Sequence, residues 1–273
     1  MTLTEAARLL SECGIEDARG EARLLFELVG KIPRHELIGR EVECERVELV
    51  DAIYRRCKRE PLQYIVGSVG FYNESYEVSP DCLIPRADTE LLVEVAVKNL
   101  PRGARFLDLC TGSGCVAIST LKNTEDTVCE AFDISDAALA MAKKNAEKNG
   151  VAERLTLKRA DLTKGFDADE RPFAILSNPP YVSDSAYERL EPEIAFEPKI
   201  AFVGGEDGAD FYRILTPACK NAIDPDGFFA FEIGYDQADI LRRIADEHSL
   251  SVEILTDLSG LDRVALFRLK NQQ

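Results

Sequence analysis

From residue 85 onward, short apolar runs alternate with amphipathic stretches, and this alternation restricts the fold more than any other feature of the chain. The runs fall at 105–109, 128–132, 155–157, 173–176, 227–233, 252–255 and 263–269. Helical patterns cover 88–99, 136–149 and 237–248. A continuous apolar run marks a strand buried on both faces, and the intervening helices supply the cover. The expected fold is α/β, a doubly wound, Rossmann-like parallel sheet. Between the last two runs lies only a short segment with Ser259 and Gly260. A parallel crossover needs a dozen or more residues, so these two should close the sheet as an antiparallel hairpin.

Residues 1–60 follow a different rule. Ala6, Leu9 and Leu10 share a helical face, as do Ala22, Leu25, Phe26 and Val29. Asp17 is placed to cap the second helix and Gly30 to end it. A third apolar pattern runs through Val47, Val50, Ile53 and Tyr54, with Arg55, Arg56, Lys58 and Arg59 on its polar side. That basic cluster is either a solvated face or a docking surface. Pro61 breaks the helix. Residues 62–84 then read as strand-like, with turns at Gly67, Gly70 and Asn73. The expected organisation is a helical domain at 1–60, a β-hairpin connector at 61–84 and the α/β domain at 85–273.

Charge limits the partners. The 273 residues carry a formal net charge of -16. Residues 1–60 hold 11 Lys and Arg against 13 Asp and Glu, leaving 22 against 36, or -14, for the rest. That field argues against a nucleic-acid substrate. No run approaches the roughly 18 apolar residues of a membrane helix, and the first residues lack the basic and apolar regions of a signal peptide. A soluble, cytoplasmic protein is expected. The 8 cysteines are scattered, no two form a Cys-x-x-Cys pair, and there are only 2 histidines. Reduced core cysteines and no metal site are the expectation.

The run at 105–109 leads through Cys110, Thr111, Gly112, Ser113 and Gly114 into a helix. Glycines at such a turn let the backbone approach a ligand at the carboxyl edge of the first strand. About twenty residues on, Asp133 ends the second strand, where a carboxylate can accept from a ribose diol. A dinucleotide, S-adenosyl-L-methionine and plain packing all remain compatible with this loop. Two acids favour S-adenosyl-L-methionine. Asp108, just before the loop, suits a cationic amino-acid end and would repel a pyrophosphate. Asp161, after the third strand, can accept from an adenine amino group while Leu162 packs on the ring. Asp161 is equally suited to cap a turn.

The run at 173–176 ends in Asn178-Pro179-Pro180-Tyr181. In a doubly wound sheet this strand neighbours the first, so the tetrapeptide faces the glycine loop across the switch point. Amide and aryl-amine nitrogens have delocalised lone pairs. An enzyme helps them by accepting their N–H hydrogens and fixing the lone pair. The Asn178 side-chain carbonyl and the Pro179 backbone carbonyl offer acceptors, the prolines stiffen the turn, and the Tyr181 ring can stack on a planar group. Together the two motifs point to methyl transfer from S-adenosyl-L-methionine to a planar nitrogen.

With these motifs, the chain resembles the HemK-type protein-(glutamine-N5) methyltransferases, which modify peptide chain release factors. The resemblance runs through Glu60-Pro61-Leu62-Gln63-Tyr64-Ile65, Leu83-Ile84-Pro85-Arg86-Ala87-Asp88-Thr89-Glu90, the glycine loop, Asp133, Asn178–Tyr181, Glu197-Pro198, Gly204-Gly205, Asp207-Gly208 and Glu232-Ile233-Gly234. It implies a class I methyltransferase fold, a helical N-terminal domain that docks a release factor, and a Gly-Gly-Gln glutamine as acceptor. S-adenosyl-L-homocysteine would be the product; separately from the resemblance, a monomer is expected. By the same resemblance Cys110–Gly114, Asp133, Leu162 and Asn178 line the donor site, and Asn178–Tyr181 hold the glutamine. Arg86 and Glu90 would brace the entrance or the donor; a simple ion pair one helical turn apart is the alternative. Three positions depart from the pattern. Cys110 replaces a glycine, which is tolerable at negative φ. Asn73 stands where glycine is frequent, and can adopt a left-handed turn. Leu162 stands where an aromatic ring is frequent, so adenine stacking should be weaker.

Glutamine methylation of a ribosomal protein, adenine-N6 methylation of nucleic acid and a non-catalytic binding module are the competing readings. Asp133 offers a direct check on the donor site. Asp133→Ala should weaken S-adenosyl-L-methionine binding by roughly 1–3 kcal/mol, the cost of unpaired buried polar groups. Calorimetry showing unchanged affinity would remove Asp133 from the site.

Overall fold

The computed structural model describes residues 1–270. The chain divides into two compact units, Met1–Ser68 with Glu191–Phe196, and Val69–Leu190 with the residues from Glu197 onward.

The first unit is helical. Thr2 opens α1 (Leu3–Glu12) with a reciprocal cap: its hydroxyl accepts from Glu5 N, and the Glu5 carboxylate accepts from Thr2 N. Asp17 caps α2 (Ala18–Leu28) by accepting from Gly20 N. Leu3, Ala6 and Leu10 of α1 meet Ala22, Leu25 and Phe26 of α2 in one apolar core. The third helix, α3 (Val47–Cys57), joins that core in a different phase from the one expected. Leu49, Ala52 and Ile53 are buried, whereas Val47 is 77% and Tyr54 54% exposed. The buried side extends to Arg56, and this corrects the reading of the basic cluster as an open face. Arg56 bonds Glu21 (2.6 Å) and Glu193 (2.9 Å), Arg59 bonds Glu193 (2.9 Å) and the Gly14 carbonyl (2.7 Å), and Arg55 bonds Glu60 (2.8 Å). Three of its four cations are spent inside the unit.

Residues 62–66 are a second correction. Tyr64-Ile65-Val66 has strand composition, yet Leu62–Val66 forms a short helix, α4. The Pro61 carbonyl accepts from Tyr64 N and Ile65 N, and Gly67 ends the turn at φ 80°. Proline start, glycine stop and burial of Ile65 in the apolar core outweigh β-propensity over so short a stretch.

The second unit begins with a hairpin, β1 (Ser68–Phe71) and β2 (Glu74–Glu77). The left-handed residue at its turn is Tyr72 (φ 56°), not Asn73. Glu90 holds that conformation by accepting from Tyr72 N at 2.7 Å. Residues 82–84, read as a strand, are irregular, and Ile84 N donates to Glu197 instead of to a ladder.

The expected alternation then follows. The elements are α5 (Glu90–Asn99), β3 (Arg105–Leu109), α6 (Cys115–Lys122), β4 (Val128–Asp133), α7 (Asp136–Lys148), β5 (Leu155–Arg159), β6 (Ala174–Ser177), α8 (Asp184–Tyr187), α9 (Asp210–Ala222), β7 (Phe228–Glu232), α10 (Ala238–Glu247), β8 (Leu250–Thr256) and β9 (Asp262–Leu269). The seven strands are ordered β5-β4-β3-β6-β7-β9-β8. All pairs are parallel from β5 to β7, and β8 and β9 form the antiparallel closing hairpin. Alternate residues feed two cores. Phe106, Leu176 and Phe228 pack with Val116 and Ile118 on one face. Leu107, Ile175, Phe229 and Phe231 pack with Tyr212 and Leu241 on the other, where Phe229 stacks on Phe267 at 4.7 Å between centroids. Among the described residues no helix is long and apolar enough to cross a membrane, and no group of three or more His, Cys, Asp or Glu could hold a metal ion.

Strand order reverses at β3, between β4 and β6. Leu109 is opposite Phe132 on one side and Ser177 on the other, so the glycine loop, Asp133 and Asn178 leave the sheet at one level. The loop turns tightly: Cys110, Gly112 and Gly114 have φ of 60°, 55° and 82°. The negative φ that would make cysteine harmless at position 110 is therefore absent. A left-handed L-residue costs about 1–2 kcal/mol, while glycine costs about 0.5–1 kcal/mol of chain entropy. Cys110→Gly should thus keep stability within about 1 kcal/mol, and Cys110→Val should lose about 1–3 kcal/mol. Urea denaturation measures both; a Val variant more stable than the Gly variant would contradict the strain.

Candidate active site

Asp108, the penultimate residue of β3, is 1% exposed. One of its oxygens accepts from the Thr111 hydroxyl (2.6 Å) and from Ala117 N (3.2 Å) in the first turn of α6. The carboxylate thereby ties the loop to the helix it opens, where unpaired N–H groups favour negative charge. Burial still outweighs these bonds and pushes Asp108 up to about 7.

Asp133 performs the matching task for β4. Its two oxygens accept from Gly112 N (2.8 Å) and Ser135 N (2.9 Å), linking the glycine loop to the start of α7. Burial raises this carboxyl as well, against the bonds from Ser135 and Gly112. Asp161 takes the turn-capping role anticipated as the alternative, at the edge of the cavity. It caps the short turn at 162–164, accepting from Thr163 N (3.1 Å) and the Thr163 hydroxyl (2.6 Å), and it lines the cavity. Lys164 and then Thr163 hold it down at about 2.

These residues surround a cavity of about 160 Å³. Gly112, Asp133, Asp161 and Leu162 line it, with apolar wall from Ile134 and Ala160. A smaller recess of about 40 Å³ is lined by Arg86, Thr89, Asp108, Thr111, Gly112 and Ser113. Cys110, Gly112 and Asn178 line both. A Cβ on Gly112 would meet no atom within 4 Å, so the backbone presents itself bare to open space. This is the form a nucleoside with a short charged tail requires: acceptors and an apolar wall for the nucleoside, a second polar recess for the tail, and bare backbone between them.

Asn178 follows β6 at the wall between the two spaces. Its Nδ2 donates to the Thr89 hydroxyl at 3.1 Å, which turns Oδ1 away from Thr89. Pro180 lines the larger cavity; Pro179 and Tyr181 line neither. The Tyr181 ring packs at the margin of the core around Phe231, and its hydroxyl donates to Glu232 on β7 at 2.9 Å. Burial and Glu232 raise that phenol. The open stacking face anticipated for Tyr181 gives way to a brace behind the loop. Arg86 and Glu90 do not pair with each other: Arg86 pairs with Glu197, and Glu90 holds the hairpin turn without lining either space.

Several supporting residues lie in motifs that carried no assigned role. Gln237 Nε2 donates to the Tyr181 carbonyl (3.0 Å), while its Oε1 accepts from Gly234 N (2.8 Å) and the Tyr212 hydroxyl (3.1 Å). A Cβ on Gly204 would come within 2.5 Å of the Pro180 carbonyl, and one on Gly208 within 2.2 Å of the Tyr181 carbonyl. The Gly204-Gly205-x-Asp207-Gly208 segment therefore packs bare backbone on the outer side of the tetrapeptide. Glycine spacing beside a rigid turn was the available signal for this contact.

Residues 2–67 match the PrmC N-terminal domain, and residues 86–194 match the Methyltransferase small domain. The chain is 36% identical to a release factor glutamine methyltransferase of Geobacter sulfurreducens over 93% of its own length and 91% of that protein's. It is 35% identical to the protein of the same description from Caulobacter vibrioides, over 96% of this chain and 93% of the relative. Among solved structures, ribosomal protein L11 methylase from Lactobacillus delbrueckii subsp. bulgaricus shares the fold, with a TM-score of 0.53 and 20% identity over 71% of this chain and 84% of that one.

The glycine packing is testable against an internal control. Gly260 has φ 80° and open space around it, so Gly260→Ala should lose only the left-handed penalty of about 1–2 kcal/mol. Gly208→Ala meets the Tyr181 carbonyl as well and should lose about 1–3 kcal/mol more. Equal losses for the two variants in urea denaturation would show that the segment does not press on the tetrapeptide.

Proposed function

The chain belongs to the release factor glutamine methyltransferase family, and on that premise we propose that it methylates the side-chain amide nitrogen, N5, of the glutamine in the Gly-Gly-Gln loop of a peptide chain release factor. The observation that carries this reading is the bond from Asn178 Nδ2 to Thr89, which leaves Asn178 Oδ1 as an acceptor at the wall between the two cavities.

S-adenosyl-L-methionine, when bound, supplies a methyl group on a sulfonium and is released as S-adenosyl-L-homocysteine. The residues present fit it. Asp133 would accept from the ribose hydroxyls, and Asp161 with Leu162 would border the adenine. Cys110 to Gly114 bring bare backbone to the donor. The recess with Asp108 and Arg86 suits an end that carries both an ammonium and a carboxylate.

The acceptor glutamine needs its nitrogen held with the lone pair toward the methyl carbon. Asn178 Oδ1 and the Pro179 carbonyl accept its two N–H hydrogens, and Pro179 and Pro180 keep those acceptors rigid. Tyr181 contributes by bracing the turn through Glu232. Arg86 borders the entrance in its pair with Glu197, and Glu90 supports it from the hairpin. The amide becomes acidic as it is methylated, so no strong base is required.

The proposal includes a protein partner docking on the helical unit, a monomeric enzyme, a cytoplasmic location where release factors act, and no nucleic-acid substrate. Support for the last point is the net charge of -14 on residues 61–273.

Incubation with methyl-labelled donor and purified release factor tests the reading. Label should appear on the wild-type factor and be absent from a Gly-Gly-Gln→Gly-Gly-Ala factor. Asn178→Ala should lower kcat by roughly 100-fold or more with little change in melting temperature. Label on the Ala factor, or full turnover by Asn178→Ala, would overturn it.

A further inference from the structure

Gln237 opens α10, yet its side chain caps nothing there. It is 9% exposed and turned toward the Asn-Pro-Pro-Tyr loop. Its Oε1 accepts from Gly234 N at 2.8 Å and from the Tyr212 hydroxyl at 3.1 Å. Its Nε2 donates to the Tyr181 carbonyl at 3.0 Å and to the Gly208 carbonyl at 3.4 Å. One carboxamide thus joins the chain just past β7, helix α9, the glycine segment and the tetrapeptide.

A carboxamide can be turned end for end, which exchanges its acceptor for its donors. Here backbone groups of fixed polarity settle the direction. Gly234 N only donates and Tyr181 O only accepts, so the oxygen faces Gly234 and the NH2 group faces the tetrapeptide. The space is fitted to this group. A Cβ on Gly208 would come within 2.9 Å of Gln237 Nε2, and one on Gly234 within 3.0 Å of Gln237 Oε1.

The Tyr181 carbonyl closes the turn that carries the two acceptors of the proposed reaction. Behind it, Pro179 and Pro180 each have a fixed φ, so few soft torsions separate the Tyr181 carbonyl from the Pro179 carbonyl, and movement of one is passed to the other. The Tyr181 ring is held separately, by its bond to Glu232. The chain beyond is held by Val182, whose N donates to Phe202 O at 2.8 Å and whose O accepts from Gly204 N at 2.9 Å. Between these anchors, Gln237 supplies the one hydrogen bond that the Tyr181 carbonyl receives among the described residues.

We propose that Gln237 is the positioning residue of the acceptor turn: by donating to the Tyr181 carbonyl it holds Asn178 Oδ1 and the Pro179 carbonyl where both meet the acceptor nitrogen. The inference rests on the reading of Asn178 and Pro179 given above and adds to it a residue that touches neither donor nor acceptor. A misplacement of about 1 Å at such a turn costs about 100-fold in rate.

Turnover gives the first test. Gln237→Met keeps the length of the side chain and offers no donor. It should lower kcat about 10- to 100-fold. Donor affinity by calorimetry should stay within about threefold, because Gln237 lines neither cavity. Gln237→Glu keeps the shape and puts oxygen in place of Nε2. Ionised, it sets a carboxylate against two carbonyls; protonated, it regains one O–H to donate to Tyr181. The ratio of its kcat to that of the wild type should therefore rise as pH falls. The ionisable groups around the position are Tyr212, Asp236, Asp207 in its pair with Arg213, and Glu232, which burial pushes up to about 7. All of them titrate in the wild type as well, so the ratio isolates position 237. Melting temperatures report whether each variant is folded.

The second test needs no substrate. Tyr181-Val182 is the single Tyr-Val step in the chain. Carbon-13 at tyrosine carbonyls with nitrogen-15 at valine therefore gives one correlated resonance, that of the Tyr181 carbonyl. It should move in Gln237→Met, and in Gln237→Glu it should return toward its wild-type position as pH falls. Wild-type kcat in Gln237→Met, loss of donor affinity in step with kcat, or a Gln237→Glu ratio that ignores pH would overturn the proposal. An unmoved carbonyl resonance in Gln237→Met overturns it whatever the turnover. That measurement decides the inference even if the wild type failed to methylate a release factor, so the two readings fail separately.

Discussion

Parallel pairing of β3 with β6 is the constraint on which the site depends. The register sets Leu109 opposite Ser177, and the Ser177 hydroxyl donates to the Leu109 carbonyl at 2.7 Å, closing the pair where the strands end. The next residues on each strand are Cys110 and Asn178. They lie at the reversal of strand order, where the flanking helices diverge and leave a crevice. One apolar register thus brings the donor loop and the proposed acceptor residue together, although 67 positions of sequence lie between Cys110 and Asn178.

The polar residues around this register are held at a cost. Cys110 has a left-handed backbone, and Asp108 and Glu232 are carboxyls buried enough to be raised to about 7. Strain and desolvation of this kind persist only where surrounding structure fixes them. Here it does. Asp108 ties the donor loop to α6 and Asp133 ties it to the start of α7, and Gln237, Gly204 and Gly208 enclose the far side of the Asn-Pro-Pro-Tyr turn. The two apolar cores on either face of the sheet anchor these contacts. By contrast, Arg55, Arg56 and Arg59 of the cationic cluster are paired within the helical unit by Glu60, Glu21 and Glu193.

The α/β sheet was legible because doubly buried strands leave unbroken apolar runs, and the switch point followed from their order. The donor loop and Asn178 were legible because glycine and proline restrict the backbone through their own covalent structure. Features set by tertiary partners were not. Strand-forming Tyr64-Ile65-Val66 became helix between Pro61 and Gly67. The left-handed position of the hairpin fell on Tyr72, where Glu90 reaches the backbone, and not on the more tolerant Asn73. Arg86 took Glu197, more than a hundred positions away, over Glu90 one turn on. Tyr181 took Glu232. For Tyr72, Arg86 and Tyr181 the deciding group is remote in sequence and no local period reports it, whereas the helix at 62–66 is set by its neighbours Pro61 and Gly67 together with burial of Ile65. The phase of α3 was misjudged for a related reason: Arg56, polar in the sequence, is buried by its two acids.

The central claim is that Asn178 Oδ1 accepts from the amide nitrogen that receives the methyl group. A crystal structure of the protein with S-adenosyl-L-homocysteine and a release factor bearing its Gly-Gly-Gln loop tests it most directly. The account predicts the glutamine nitrogen within hydrogen-bond distance of Asn178 Oδ1 and in line with the homocysteine sulfur, with Asn178 Nδ2 still on Thr89. A glutamine nitrogen bound away from Asn178, or an Asn178 carboxamide turned with its oxygen on Thr89, would contradict it.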